Sequence, residues 1–185
     1  KTFEMQAFSF SDNIERFIMA DGTVCTNEII IPEGVTSMED LVFYFRNPNF
    51  KSMRIPSTLT SIADGGLCCP NLERYVMTGS NPKYDIRNNS VIETATNRLI
   101  GGAVLSSKIH ESVTTIGKEA FYESCIASVD LHAGVTTIED YAFDYSDLTQ
   151  IICRGTTPPT LGASPFRLTN YNGTMKVPSE SISLY

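Results

Sequence analysis

At 185 residues, 42% hydrophobic and 19% charged, the chain is long enough for one packed domain and too apolar for disorder. A net charge of -7 and a pI of about 4.8 argue against nucleic acid or an anionic membrane as the main partner, since neither would be attracted electrostatically. No apolar stretch approaches the ~20 residues of a membrane helix, and the five cysteines, an odd number without metal-ligand spacing, read as small buried side chains rather than a disulfide framework or zinc site.

From its first residues the chain reads as a repeat entered midway. Ile14, Arg16 and Phe17 share their spacing with Leu72, Arg74 and Tyr75, while Phe3 and Ala7-Phe8 fall where later units carry an aliphatic residue and a small-large pair. A stack of repeats needs a covering end unit, so more chain is expected upstream of Lys1. Residues 20–28 interrupt the period as an insertion containing the turn signal Asp21-Gly22.

The first full unit, residues 31–53, runs Ile31-Pro32, then Val35-Thr36-Ser37-Met38, the pair Val42-Phe43, and a closing Phe50 and Met53. The next, residues 55–77, begins 24 residues later with Ile55-Pro56 and carries Leu59-Thr60-Ser61-Ile62, Gly66-Leu67, Leu72 and Tyr75. Residues 78–108 form a longer insertion. Short apolar runs at Tyr84-Asp85-Ile86, Val91-Ile92 and Leu99-Ile100, separated by turn residues, predict a hairpin or three-stranded excursion attached to the stack.

Two units follow with a step of 22. Residues 109–129 carry Ile109-His110, Val113-Thr114-Thr115-Ile116, Ala120-Phe121, Ile126 and Val129; residues 131–151 carry Leu131-His132, Val135-Thr136-Thr137-Ile138, Ala142-Phe143, Leu148 and Ile151. Pro158-Pro159 cannot continue a hydrogen-bonded strand, so residues 155–185 read as a C-terminal cap on a repeat array spanning 1–154. One unit alone cannot bury its apolar columns, and stacked units bury them against each other. The Thr-Ser and Thr-Thr columns are expected as hydroxyl ladders that satisfy neighbouring backbone groups.

The unit I-P-x-x-V-T-x-I-x-x-x-A-F, with its closing L-x-x-V, resembles the BspA-like leucine-rich-repeat surface proteins of gut and oral bacteria. That resemblance implies a leucine-rich-repeat solenoid, a right-handed superhelix rich in β-structure, with a parallel strand ladder and short helical or 3-10 turns. It also implies export to the cell surface and an adhesive or protein-binding role without catalysis or cofactor. The later units depart from the pattern by placing His110 and His132 where the earlier ones have proline.

Two surfaces are candidates for binding. In the closing strands the apolar positions point inward, so the alternates form an outward face containing Arg16, Arg54, Arg74, Asp130 and Gln150, flanked by Lys51 and Glu73. In leucine-rich repeats the strand face is the usual ligand surface. A protein ligand on a host or bacterial surface is the expected partner. The alternative is a glycan, met by the aromatic residues near the turns: Tyr44, Phe45, Tyr122 and Tyr145. His110 and His132 occupy equivalent positions about 5 Å apart if their units stack, yet supply too few ligands for a stable metal site. No nucleotide-binding loop, paired carboxylates or Ser/His/Asp set is present.

Overall fold

The computed structural model describes residues 2–3, 14–44, 47–167, 169 and 172–185. Phe45 and the pair Ala7-Phe8 lie outside them. The chain is a β-solenoid of about seven turns with almost no helix. Each regular turn contributes one short strand to each of two ladders, so the repeat read along the sequence becomes a column read across the structure.

The first ladder is built from the Thr/Ser-Ile step of each unit. Thr2–Phe3, Ser37–Met38 and Ser61–Ile62 pair in parallel, with Ser37 opposite Ser61 and Met38 opposite Ile62. The ladder resumes in Arg98–Gly102, Thr115–Ile116, Thr137–Ile138 and Thr160–Leu161, placing Leu99, Ile116, Ile138 and Leu161 in one column. The hydroxyl columns act as expected. Thr60 Oγ1 donates to Thr36 O at 3.1 Å, and Thr136 Oγ1 donates to Thr114 O at 3.3 Å, each one turn back.

The second ladder carries the closing strands. Glu28–Ile30, Ser52–Pro56 and Arg74–Thr78 are parallel, as are Ser128–Leu131, Gln150–Cys153 and Thr174–Lys176. This overturns the register expected at the start of the chain. Phe17–Ile18 does not join the parallel ladder. It forms an antiparallel pair with Val24–Cys25, turned by Gly22 at φ 88 and by Asp21, whose carboxylate accepts the Thr23 N–H at 2.9 Å. The strand that stacks on Ser52–Pro56 is Glu28–Ile30, on the edge of the expected insertion. A hairpin slipped in before it moves the outward position from Arg16 to Glu28, which stands opposite Ser52 and, beyond it, Arg74.

Between the two halves, Tyr84–Arg87, Ser90–Glu93 and Arg98–Gly102 form an antiparallel three-stranded meander. Successive strand residues face opposite sides of a sheet, and here both sides are buried. Val91 and Ile100 join the core of the first half, while Ile92 and Leu99 join that of the second. Asn81 anchors the entry. Its Nδ2 donates to Leu59 O at 2.8 Å, and its Oδ1 accepts the N–H groups of Lys83 and Tyr84.

The turns leading to each small-large pair share one conformation. The preceding residue is left-handed at each described pair: Leu41 (φ 51), Gly65 (φ 73), Glu119 (φ 58), Tyr141 (φ 55) and Ser164 (φ 46). Successive i to i+3 bonds then close the turn, for example Tyr122 N–H to Glu119 O at 3.1 Å and Ser124 N–H to Phe121 O at 3.1 Å. A second left-handed residue, Glu123 (φ 51) or Tyr145 (φ 56), prevents these bonds from propagating into helix. The expected short helical turns are therefore isolated turns, and the 3-10 helix among the described residues is Ser179–Leu184.

Residues 155–185 do more than cap the array. Thr160–Leu161 and Thr174–Lys176 extend both ladders, and Pro165-Phe166 follows Leu161 at the spacing at which Ala142-Phe143 follows Ile138. Phe166 stacks on Phe143 at 5.4 Å with an interplanar angle of 11°. The prolines fall in the connections, where no ladder N–H is required.

Candidate functional site

On the strand face, the repeat places charged residues of successive turns side by side, and most are paired. Arg54 Nη2 meets Glu28 Oε2 at 2.8 Å, and Lys51 Nζ meets Glu73 at 3.1 Å. Asp130 is gripped by Arg154 through two hydrogen bonds of 2.6 Å. Those bonds hold the Asp130 carboxyl below the usual carboxylate range. Arg154, from the next turn, was not among the expected residues. Of the five residues foreseen for this face, Arg74 is exposed and Gln150 half-buried in one column, while Arg54 and Asp130 occupy another. Arg16 is exposed but precedes the antiparallel hairpin, outside the ladder.

The two histidines have local roles. The proline they replace is the first residue of a turn, and the turn persists: Val35 N–H reaches Pro32 O at 3.2 Å, and Val135 N–H reaches His132 O at 3.1 Å. In the later units each imidazole Nδ1 accepts the N–H two residues on, from Ser112 at 3.2 Å and from Gly134 at 3.0 Å. Among the described residues no group of three or more His, Cys, Asp or Glu is arranged to hold a metal. Four cysteines are buried and Cys125 is half-buried, all as free thiols. Burial pushes the Cys69 thiol up to about 12 and Cys68 well above its ordinary value. Gly101-Gly102 also has a packing explanation, since a Cβ on Gly102 would lie inside the Phe121 ring.

The turn ridge is different. Tyr44 lies 6.3 Å from Tyr122, and Tyr122 lies 5.9 Å from Tyr145, so three rings from three turns form a row. They stand where they do because each follows a buried Phe by one or two residues: Phe43, Phe121 and Phe143. The chain emerging from the core column points the next large side chain along the ridge. Beside the row runs a shallow groove of about 200 Å³, bordered by Asp40, Glu119, Tyr122, Tyr141, Asp144 and Arg167.

Five of those residues escaped sequence reasoning because no motif contains them. Asp144 has no exposed side-chain surface and accepts hydrogen bonds from Arg167 at 2.8 and 3.1 Å. The guanidinium also lies over Tyr141 at 5.3 Å and Tyr145 at 5.5 Å. At the other end, Asp40 and Glu119 close around Gly65, where a Cβ would collide with both carboxylates. Burial, then each carboxylate's repulsion of the other, pushes Glu119 upward; burial also raises Asp40. Burial, with help from Glu123 and Asp144, pushes the Tyr122 phenol up to about 12. The signal that could have revealed Tyr141 is its column, since it occupies the left-handed position that Glu119 fills one turn earlier.

No helix among the described residues is long and apolar enough to cross a membrane. No curated protein matches the chain. A leucine-rich repeat protein from Eubacterium ventriosum shares the fold, with a TM-score of 0.64 at 20% identity over 82% of this chain. The chain spans 42% of that protein's length. Residues 1–97 and 103–184 match six copies of the BspA type leucine rich repeat region. With nearly every residue inside those copies and both ladders in the repeat's register, the chain belongs to the BspA-type leucine-rich-repeat family.

Proposed function

We propose that this chain is a non-catalytic binding scaffold, displayed at a bacterial cell surface, that engages protein ligands in adhesion. Leucine-rich repeats of this family suggest a protein-interaction scaffold, and members are typically surface-associated. The observation that carries the reading is the row Tyr44, Tyr122 and Tyr145, laid across three turns on a rigid core. Tyrosine combines large contact area with a polar tip and few rotatable bonds, which is why it is enriched at protein interfaces.

The ridge is a better working surface than the strand face first expected. On that face Arg54 and Asp130 already hold Glu28 and Arg154, and separating such pairs offsets what a ligand would gain. A protein ligand also suits the rings better than a glycan. They meet at 47° and 72° and present no common plane, whereas a sugar stacks its flat face on a ring.

The test compares Tyr44→Ala/Tyr122→Ala/Tyr145→Ala with Arg74→Ala/Gln150→Ala, probing both on arrays of matrix proteins and glycans. The reading expects protein binding that the ridge variant loses by tenfold or more and the strand-face variant keeps. Binding confined to glycans, or lost only in the strand-face variant, would overturn it.

A further inference from the structure

We propose that the groove beneath the tyrosine ridge docks an arginine side chain from a basic segment of a protein partner. This rests on the protein-binding reading above and assigns the chemistry of the ligand.

The groove already contains a guanidinium of its own. Arg167 sits between the Tyr141 and Tyr145 rings at 5.3 and 5.5 Å and closes on the buried Asp144 carboxylate. Rings for the guanidinium's flat face and a carboxylate for its N–H fork are the two features arginine recognition needs. Arg167 thus demonstrates, from within the chain, what this surface holds.

The adjoining stretch of the same groove repeats those features. The Tyr122 ring borders it, and Asp40 and Glu119 supply carboxylates. Local charge is left under-compensated. Arg98 is shared by Asp64 and Glu139 at 2.7 and 2.6 Å, and Lys118 Nζ reaches Glu119 only at 3.6 Å. Asp40 Oδ1 is shielded from solvent and accepts no hydrogen bond. Among the described residues, four carboxylates therefore share two cations, and one carboxylate oxygen is desolvated without a donor. Such an oxygen is costly unless a donor arrives, and a planar guanidinium can serve two carboxylates at once. Lysine, a single compact charge, fits this geometry less well. The chain's overall charge of -7 would steer a basic segment toward it.

The experiment is selection of a phage-displayed random peptide library on the intact chain, followed by affinity measurement on Asp40→Asn/Glu119→Gln. Both substitutions preserve shape and remove repulsion, so circular dichroism and melting should show an unimpaired fold. The proposal expects selected peptides enriched in Arg, bound about tenfold more weakly by the double variant and weakened further by added salt. Exchanging Arg for Lys in a selected peptide should cost several-fold in affinity. Peptides without Arg enrichment, or bound equally by the double variant, would overturn the proposal. If those peptides still need Tyr44, Tyr122 and Tyr145, the protein-binding reading survives that result; no selected peptide at all would defeat both.

Discussion

The two halves of the solenoid meet the same packing demand in different ways. In the second half the unit step is a constant 22 residues from Ile109 to Leu131 and from Leu131 to Cys153. Equivalent residues superimpose, and the result is a face-to-face column. Phe121 and Phe143 lie 4.9 Å apart at 6°, with Phe166 continuing the stack. The first half steps by 24 from Ile31 to Ile55 and by 22 from Ile55 to Met77, and begins with a hairpin. Among its described residues, aromatic contacts join positions that are not equivalent, Phe17 meeting Phe43 edge-on at 6.4 Å and Phe50 at a tilt. A strict period lets one side chain serve as its own packing partner. Where the period drifts, neighbours must fit by shape.

Substituting Phe143→Ala should break that comparison most visibly. The ring is fully buried between two others, and its loss should cost ~3–5 kcal/mol. Leu67→Ala, at the equivalent buried position in the first half, should cost about 1 kcal/mol less, because an aliphatic side chain forgoes ring–ring contacts. Urea denaturation of both variants decides the matter, and an equal or larger loss for Leu67→Ala would remove the distinction.

The junction between the halves is sharpened by Gly102→Ala. Its Cβ would drive into the Phe121 ring that starts the stack, so a loss of about 1–3 kcal/mol is expected from overpacking. Hydrogen exchange should report the damage in the Thr115–Ile116 and Thr137–Ile138 strands before the Ser37–Met38 strand. Uniform loss of protection would mean that the halves unfold as one.

The smallest effect is one of pH. Asp40 and Glu119 titrate higher in the fold than in the unfolded chain. The folded state therefore binds more protons, and stability rises as pH falls through their raised values until the unfolded values are passed. Asp130 has the opposite sign. Its lowered folded value gives stability that is present above the unfolded value and lost as pH falls through the folded one. Each contribution should stay below about 1 kcal/mol at these partly exposed sites. Asp40→Asn/Glu119→Gln should flatten the gain on mild acidification and leave the Asp130 loss intact, as read from melting temperatures across pH.

Most of the scaffold could be read from sequence because a column demands the same kind of side chain at each turn. Val35, Leu59, Val113 and Val135 are buried in register, as their spacing indicates. The last turn was hidden because Pro158, Pro159 and Pro165 resemble strand breakers until their places in the connections are known. Leu161 and Met175, in core columns, are about half exposed at the end of the stack. Register at the start was hidden by a different cause: the hairpin at 17–25 interposes chain without altering the motif that precedes it. The tyrosine row was legible in part, through Tyr44, Tyr122 and Tyr145. The charges beside it were not, because Asp144 and Arg167 occupy the position after the buried Phe that Tyr44 and Tyr122 fill in earlier turns, so the side-chain type there does not repeat.

The meander has a mechanical consequence. Tension along the stacking axis pulls directly on hydrogen bonds between turns, so they open in sequence rather than sharing the load. Both regular ladders are interrupted at one level, between Ser61–Ile62 and Arg98–Gly102 and between Arg74–Thr78 and Ser128–Leu131. There the Ile62 N–H is held by the Tyr84 hydroxyl at 3.1 Å and the Val104 N–H by Leu72 O at 2.7 Å. A stretched chain would part at that level into two short springs, each still wound around its own core.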